Sequence, residues 1–336
     1  MKLVSFELEG TDKCGILVDD KVYPFFLLDP LLPADMADFL EQGEGAMNRA
    51  KNYDKLIKAD PAKFASYPYS ILSLLAPVPH PTSCRDGYAF RQHVAAARRN
   101  RGVPMIPEFD QYPIFYFTNH NSITGPGKLE LMPDHFQKLD FELESAIVIG
   151  KKGRNIRASE AEAYIAGFMV MNDWSARTLQ MEEMVLNLGP AKGKDFATSI
   201  GPYLVTPDEL EPYLVPAMPG HTGNQYKLAM KAFVNGIQVS DGNMADMNWT
   251  FAEIIERISY GVDICPGDVI GSGTVGTGCF LELNGTGLLN DKDYKTQWIQ
   301  PGDTVVMEME QLGRLENTIK KADTDYSILA LKKAQT

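Results

Sequence analysis

Glu142 and Glu144 flank a single leucine and stand just ahead of the apolar run 146–149. On a strand, side chains at i and i+2 leave the same face, which sets the two carboxylates side by side with Asp140 next in line. Adjacent carboxylates repel unless a proton or cation is shared, and an unpaired charge beside an apolar run is costly to bury. A hard divalent ion held by oxygen ligands resolves both problems; a solvated polar face on an edge strand is the competing reading. Asp173 follows the apolar stretch 168–171. It either presents a ligand from the end of a buried strand or caps the segment that follows. Asp86 opens a helix-like run, 86–101, and is likewise a ligand or a cap. His93 lies seven residues further on, two helical turns, so one helix face would carry a ligand and a base. A purely structural histidine is the alternative. His80 precedes a proline and reads as loop, while His120, His135 and His221 have no partner pattern and read as surface or loop residues.

Lys194 sits in the glycine-punctuated loop GPAKGKDFATS, where it either neutralises an anionic substrate or is solvated. Arg177 and Gln180 are spaced i and i+3, so on a helix they face one pocket. Thr274, in GSGTVGTG, offers a hydroxyl and a backbone N–H to a carboxylate; that loop lacks the GxxxxGK[ST] pattern of a nucleotide site.

The bulk of the chain fits a soluble enzyme that binds a cation. Its 336 residues suffice for one large or two moderate domains, and 44% hydrophobic with 23% charged residues is ordinary for a globular protein. A net charge of −12, from 32 basic and 44 acidic residues, argues against nucleic acid and anionic membranes as partners. Cys14, Cys84, Cys265 and Cys279 form no CxxC pair, so thiolate zinc and a disulfide framework are not expected. The start MKLVSFELEG carries Glu7 and Glu9 where a leader would be apolar, and no stretch reaches the length of a membrane span; the expected location is the cytoplasm.

The elements that must position these groups are mostly strands. Residues 1–28 alternate in polarity and read as short hairpin strands, and 34–58 as helix. The prolines at 61, 68, 77, 79 and 81 mark a boundary near residue 75, dividing an N-terminal β-rich domain (1–75) from a catalytic domain (76–336). Strands are expected at 112–118, 141–149, 168–173 and 203–205. A helix with a Ser159/Glu162 capping box is expected at 159–166, and one capped by Thr250 at 250–259. Residues 268–310 read as glycine-rich β structure. No internal repeat is found, and the class is α+β, rich in strands.

Taken together, RDGYAFRQH (85–93), LDFELE (139–144), MNDWSARTLQ (171–180), GKDFATS (193–199) and GSGTVGTGCFLEL (271–283) resemble the fumarylacetoacetate hydrolase family, in the same order along the chain. The resemblance implies a small N-terminal β domain and a mixed β-sandwich roll, as a homodimer. It implies Asp86, Glu142, Glu144 and Asp173 as ligands of Mg²⁺ or Ca²⁺, with Mn²⁺ as a third candidate. It implies His93 as general base oriented by Glu282, and Lys194, Arg177 and Gln180 at the oxygens of a diketone. Tyr88 and Tyr116 would line the pocket, with Thr274 near the substrate carboxylate. The implied activity is metal-dependent hydrolysis of a C–C bond in a small β-diketo acid, fumarylacetoacetate in aromatic amino acid catabolism or an acylpyruvate. Decarboxylation or isomerisation of a small keto-diacid is the alternative on the same scaffold, and a non-catalytic metal-binding protein a third. The chain departs from the family pattern at Met184, in place of a tyrosine, and at Gly102, in place of an arginine that grips a distal carboxylate; Arg98, Arg99 and Arg101 lie close by.

Overall fold

Runs that are apolar at every position, rather than at every second one, belong to strands buried on both faces. The stretches 146–149 and 168–171 are two such runs; they lie in Leu143–Ile149 and Ile165–Asp173, which pair antiparallel at the centre of a large sheet in the computed structural model, which describes residues 1–333. From one edge the sheet runs Tyr67–Pro68, Lys21–Pro24, Thr11–Val18, Lys2–Leu8, Thr198–Val205, Ile165–Asp173, Leu143–Ile149, Val269–Gly271, Cys84–Gly87 and Phe115–Thr118. The N-terminal strands therefore continue the sheet, through the pairs Lys2 with Val205 and Leu3 with Leu204.

Each face of the central strands meets its own core. Leu143, Ile147, Phe168 and Val170 pack with Met230, Met307, Leu315 and Ile319 of a second, five-stranded sheet. Ala146, Val148, Met169 and Met171 pack with Leu3, Ile16 and Phe39 of the N-terminal region. The architecture is thus mixed and β-rich, sheet against sheet with flanking helices and an N-terminal β region. Among the described residues no helix is long and apolar enough to cross a membrane.

Several local expectations are corrected. The helix expected over 34–58 is two, Met36–Glu41 and Glu44–Ala59, because Gly43 takes a positive φ of 65° between them. The run 86–101 begins as strand, and its helix starts only at Arg91. The segment at 159–166 is the 3₁₀ turn Ala158–Tyr164 leading into a strand. Its capping box does not form, and the Glu162 carboxylate instead accepts from the Asn224 N–H. The Thr250 cap does form, at the head of Phe251–Ser259, and Glu253 completes a capping box with it. The glycine-rich segment holds a helix, Phe280–Asn290. Gly285 and Gly287 are poor helix formers, yet they serve contact: a Cβ at Gly285 would lie 2.5 Å from the Asn100 amide, and one at Gly287 2.6 Å from the Tyr294 ring.

Candidate active site

The register of the central sheet assembles the first group of carboxylates. Asp86 is paired with Gly271, Gly271 with Ala146, and Glu144 with Met171. Counting in steps of two along each strand, Asp86, Glu144 and Asp173 leave the same face at the same end. That face is apolar further along each strand, with Cys84, Ala146, Val148, Met169 and Met171, and becomes acidic only at this end. Ligand oxygens of Asp86, Glu144 and Asp173 lie within 4.8 Å of one another, all buried. Gly271 keeps the space between them: a Cβ there would sit 2.5 Å from Asp86 Oδ1 and 2.9 Å from Glu144 Oε2. The Gly273 N–H donates to both carboxylates, at 3.0 and 3.1 Å. Burial and then the Asp173 charge push the Asp86 carboxyl up to about 7. Burial and then Asp86 raise Glu144 well above the usual carboxylate range. Asp173 is raised chiefly by burial, against the opposing pull of Lys194.

Glu142 follows a different logic. It precedes the strand, and its carboxylate lies between Arg177 (2.8 Å) and Lys194 rather than beside Glu144. Burial would raise its pKa, but the two cations outweigh burial and hold it well below the ordinary value. Lys194 Nζ also reaches Asp173 Oδ2 at 2.6 Å, and Tyr116 donates its hydroxyl to the same oxygen at 2.5 Å. Arg177 donates to Gln180 at 3.0 Å and through Nε to Asp140 at 2.9 Å. Asp140, read as a third member of the acidic face, instead accepts from the Phe280 and Leu281 N–H groups and ties Arg177 to the start of the helix Phe280–Asn290. Its only signal in sequence is a carboxylate set between Leu139 and Phe141, ahead of Glu142.

His93 and Glu282 meet from two helices 189 positions apart, Nδ1 to Oε2 at 2.6 Å, both buried. Asp86 and His93 are not on one helix, since Asp86 lies on a strand; they converge from opposite sides of the turn that joins it to the helix Arg91–Asn100. Glu282 Oε1 accepts from the Thr277 N–H at 3.0 Å, which fixes the carboxylate. With Nδ1 donating to Glu282, Nε2 keeps its lone pair, the arrangement a general base needs. The Tyr88 ring meets the imidazole edge-on, with centroids 5.9 Å apart. A cavity of about 930 Å³ is lined by all the expected site residues except Glu144 and Asp173, which lie beneath its floor. Thr274 turns its hydroxyl toward Glu144, 3.4 Å away. Arg98 and Arg101 stand in the wall, and among the described residues neither makes an ion pair. His135, read as a surface or loop residue, is buried and stacks on Phe196 with ring centroids 4.0 Å apart. Asn172, marked in the sequence only by its place in MNDWSARTLQ, accepts through its side chain from the Glu142 N–H at 3.0 Å.

The donor set suits a hard divalent cation. Asp173 Oδ1 is buried with no hydrogen-bond partner, and Gly271 leaves the three carboxylates a shared space that a side chain would fill. Asp86, Glu144 and Asp173, with Glu142 across Lys194, would hold such an ion and be relieved of their mutual repulsion. Adding Mg²⁺ to chelator-treated protein is therefore expected to raise Tm, by the equivalent of about 2.7 kcal/mol when Mg²⁺ is ~100-fold above Kd. Glu144→Gln should abolish that shift and leave the metal-free protein at least as stable as wild type, because the amide removes a buried repulsion. A calorimetric scan of both proteins with and without Mg²⁺ checks this; an unaltered shift in Glu144→Gln would rule the cluster out.

Residues 82–320 match the family model described as fumarylacetoacetate (FAA) hydrolase, C-terminal. The human protein named oxaloacetate tautomerase FAHD2A, mitochondrial, is 33% identical over 293 residues, covering 87% of this chain and 81% of the relative. Among solved structures, the fumarylacetoacetate hydrolase of Exiguobacterium antarcticum superposes with a TM-score of 0.67 at 23% identity, over 96% of this chain and all 100% of the other. The 5-carboxymethyl-2-hydroxymuconate delta-isomerase of Mycobacterium smegmatis superposes with a TM-score of 0.65 at 20% identity, over 96% and 100%. At these identities the two structures show a shared fold.

Proposed function

The chain belongs to the fumarylacetoacetate hydrolase family, and from that premise we propose that it is a divalent-cation-dependent tautomerase or isomerase of a small 2-oxo diacid, oxaloacetate being the leading substrate. The observation that carries this reading over C–C hydrolysis is the 33% identity, across 87% of the chain, to the human protein named an oxaloacetate tautomerase. The site chemistry supports it. A cation at Asp86, Glu144 and Asp173 would supply Lewis acidity toward the 2-oxo acid. His93 Nε2 takes the proton from the carbon next to the keto group, the electron pair moves to the keto oxygen, and the proton is returned there. Glu282 steadies the imidazolium in between. Arg98 and Arg101 in the cavity wall, free of ion pairs among the described residues, suit the second carboxylate of a diacid.

Hydrolysis of a β-diketo acid remains the second reading, on one specific observation. The cavity of about 930 Å³ exceeds what a four-carbon diacid fills, and Ile106, Ile114, Phe115, Met181, Met184 and Leu288 give it an apolar side suited to a longer acyl chain. In that case the same His93 takes its proton from water.

One panel separates the two. The decay of enol absorbance of oxaloacetate, and the loss of diketone absorbance of fumarylacetoacetate and acylpyruvates, are followed with Mg²⁺ and with chelator. The expected result is Mg²⁺-dependent acceleration of enol–keto exchange with no cleavage products. Cleavage of a diketone without any acceleration of tautomerisation would overturn the proposal.

A further inference from the structure

Cys279 is drawn into neither reading, yet it stands against the base. Ligand atoms of Cys279, His93 and Glu142 lie within 4.8 Å of one another, and all three residues are buried. Nδ1 of His93 is committed to Glu282, so Nε2 is the nitrogen left to ligate, and a carboxylate behind the imidazole is the support found at many zinc histidines. Glu142 supplies a carboxylate beside it, which would be shared between this site and the hard one across Lys194. This donor set, one sulfur, one imidazole and one carboxylate, differs in kind from the all-oxygen cluster of Asp86, Glu144 and Asp173. Thiolate and imidazole select soft and borderline ions, and carboxylate clusters select hard ones.

We propose that Cys279, His93 and Glu142 form a second cation site, for a thiophilic divalent ion such as Zn²⁺ or Cd²⁺, whose occupation blocks the catalytic base. A tetrahedral ion with bonds near 2.0–2.3 Å keeps its ligands about 3.5 Å apart. The three donors, which lie within 4.8 Å of one another, therefore have to draw in around the ion. The fourth position falls toward the cavity that His93 and Glu142 line, which gives the ion a way in. On binding, the thiol proton leaves to solvent and sulfur takes up the bond to the ion. The binding claim is independent of the reaction; its inhibitory consequence rests on the reading of His93 as the base.

The test uses Cd²⁺ added to the full chain in excess Mg²⁺, which fills the hard site. The expected result is a thiolate-to-Cd²⁺ charge-transfer band that saturates at one ion per chain and is absent in Cys279→Ser. Cys279 caps the helix Phe280–Asn290, its sulfur accepting the Glu282 N–H at 3.5 Å, and serine is a stronger cap, so this variant should fold. The His93→Ala variant should need ~10–100-fold more Cd²⁺ or worse to reach half-saturation. No band in wild type, or a band of equal strength in Cys279→Ser that assigns the ion to Cys265, would overturn the site. Cd²⁺ should also stop turnover in wild type and not in Cys279→Ser. A Cys279-dependent band with full turnover would leave the site standing and sink His93 as the base.

Discussion

His93→Ala is expected to lower kcat by ~10²–10⁴-fold, the usual contribution of a positioned general base. The loss should appear whichever substrate the chain turns over, because both readings draw their proton transfer through the same imidazole. It should leave the Mg²⁺-induced rise in Tm intact, since Asp86, Glu144 and Asp173 are held by the sheet register and not by the helix Arg91–Asn100. Glu282→Gln should lose less. The glutamine keeps a carbonyl oxygen that accepts from Nδ1, so the tautomer is retained, while the charge that steadies the imidazolium is gone. Steady-state kinetics paired with a thermal scan of each variant checks the pair. Turnover of His93→Ala near the wild-type rate would remove the residue from the mechanism.

Arg177→Met is expected to destabilise the folded chain by about 3–5 kcal/mol, the penalty of stranding a buried charge. Arg177 is 3% exposed and serves Asp140, which is 0% exposed, together with Glu142. Methionine fills most of the volume, so packing loss is minor and the cost is electrostatic. Asp140 would retain the backbone N–H groups of Phe141, Phe280 and Leu281 but no cation. Adding Asp140→Asn to Arg177→Met should recover part of the loss, because the amide removes one of the stranded charges and the two sites are in direct contact. Urea unfolding of the single and double variants measures this; an unfolding midpoint of Arg177→Met equal to wild type would show that the pair contributes nothing net.

Much of the fold is legible along the chain because it follows from local rules. A run apolar at every position, as at 146–149 and 168–171, has to be buried on both faces, and it is. Thr250 with Glu253 carries its capping box wholly within four residues. Where the reading fails, a distant contact has overridden the local one. Asp86 joins a strand, not the helix after it, because Val269–Gly271 offers it a parallel partner. Glycines at 285 and 287 are tolerated in a helix because Asn100 and Tyr294 occupy the space their side chains would need. Glu162 abandons its helix cap for a backbone N–H 62 residues away.

The chemistry divides in the same way. The sequence by itself determined the inventory: carboxylates close to apolar runs, a histidine, a lysine in a glycine-punctuated loop, and motifs in an order that assigns the family. Those depend only on residue type and on spacing within a single element. Only the tertiary structure decided the grouping. Glu142 and Glu144, one residue apart from being neighbours, part company: Glu144 shares the face of Asp86 and Asp173, and Glu142 lies between Lys194 and Arg177. Asp140 becomes an anchor for a helix and an arginine, and Cys279 arrives beside His93. The physical reason is that charge is compensated through space. Which cation, N–H or carboxylate comes within a few ångströms of a given oxygen is fixed by strand register and helix packing across more than a hundred residues, and no local pattern carries that distance.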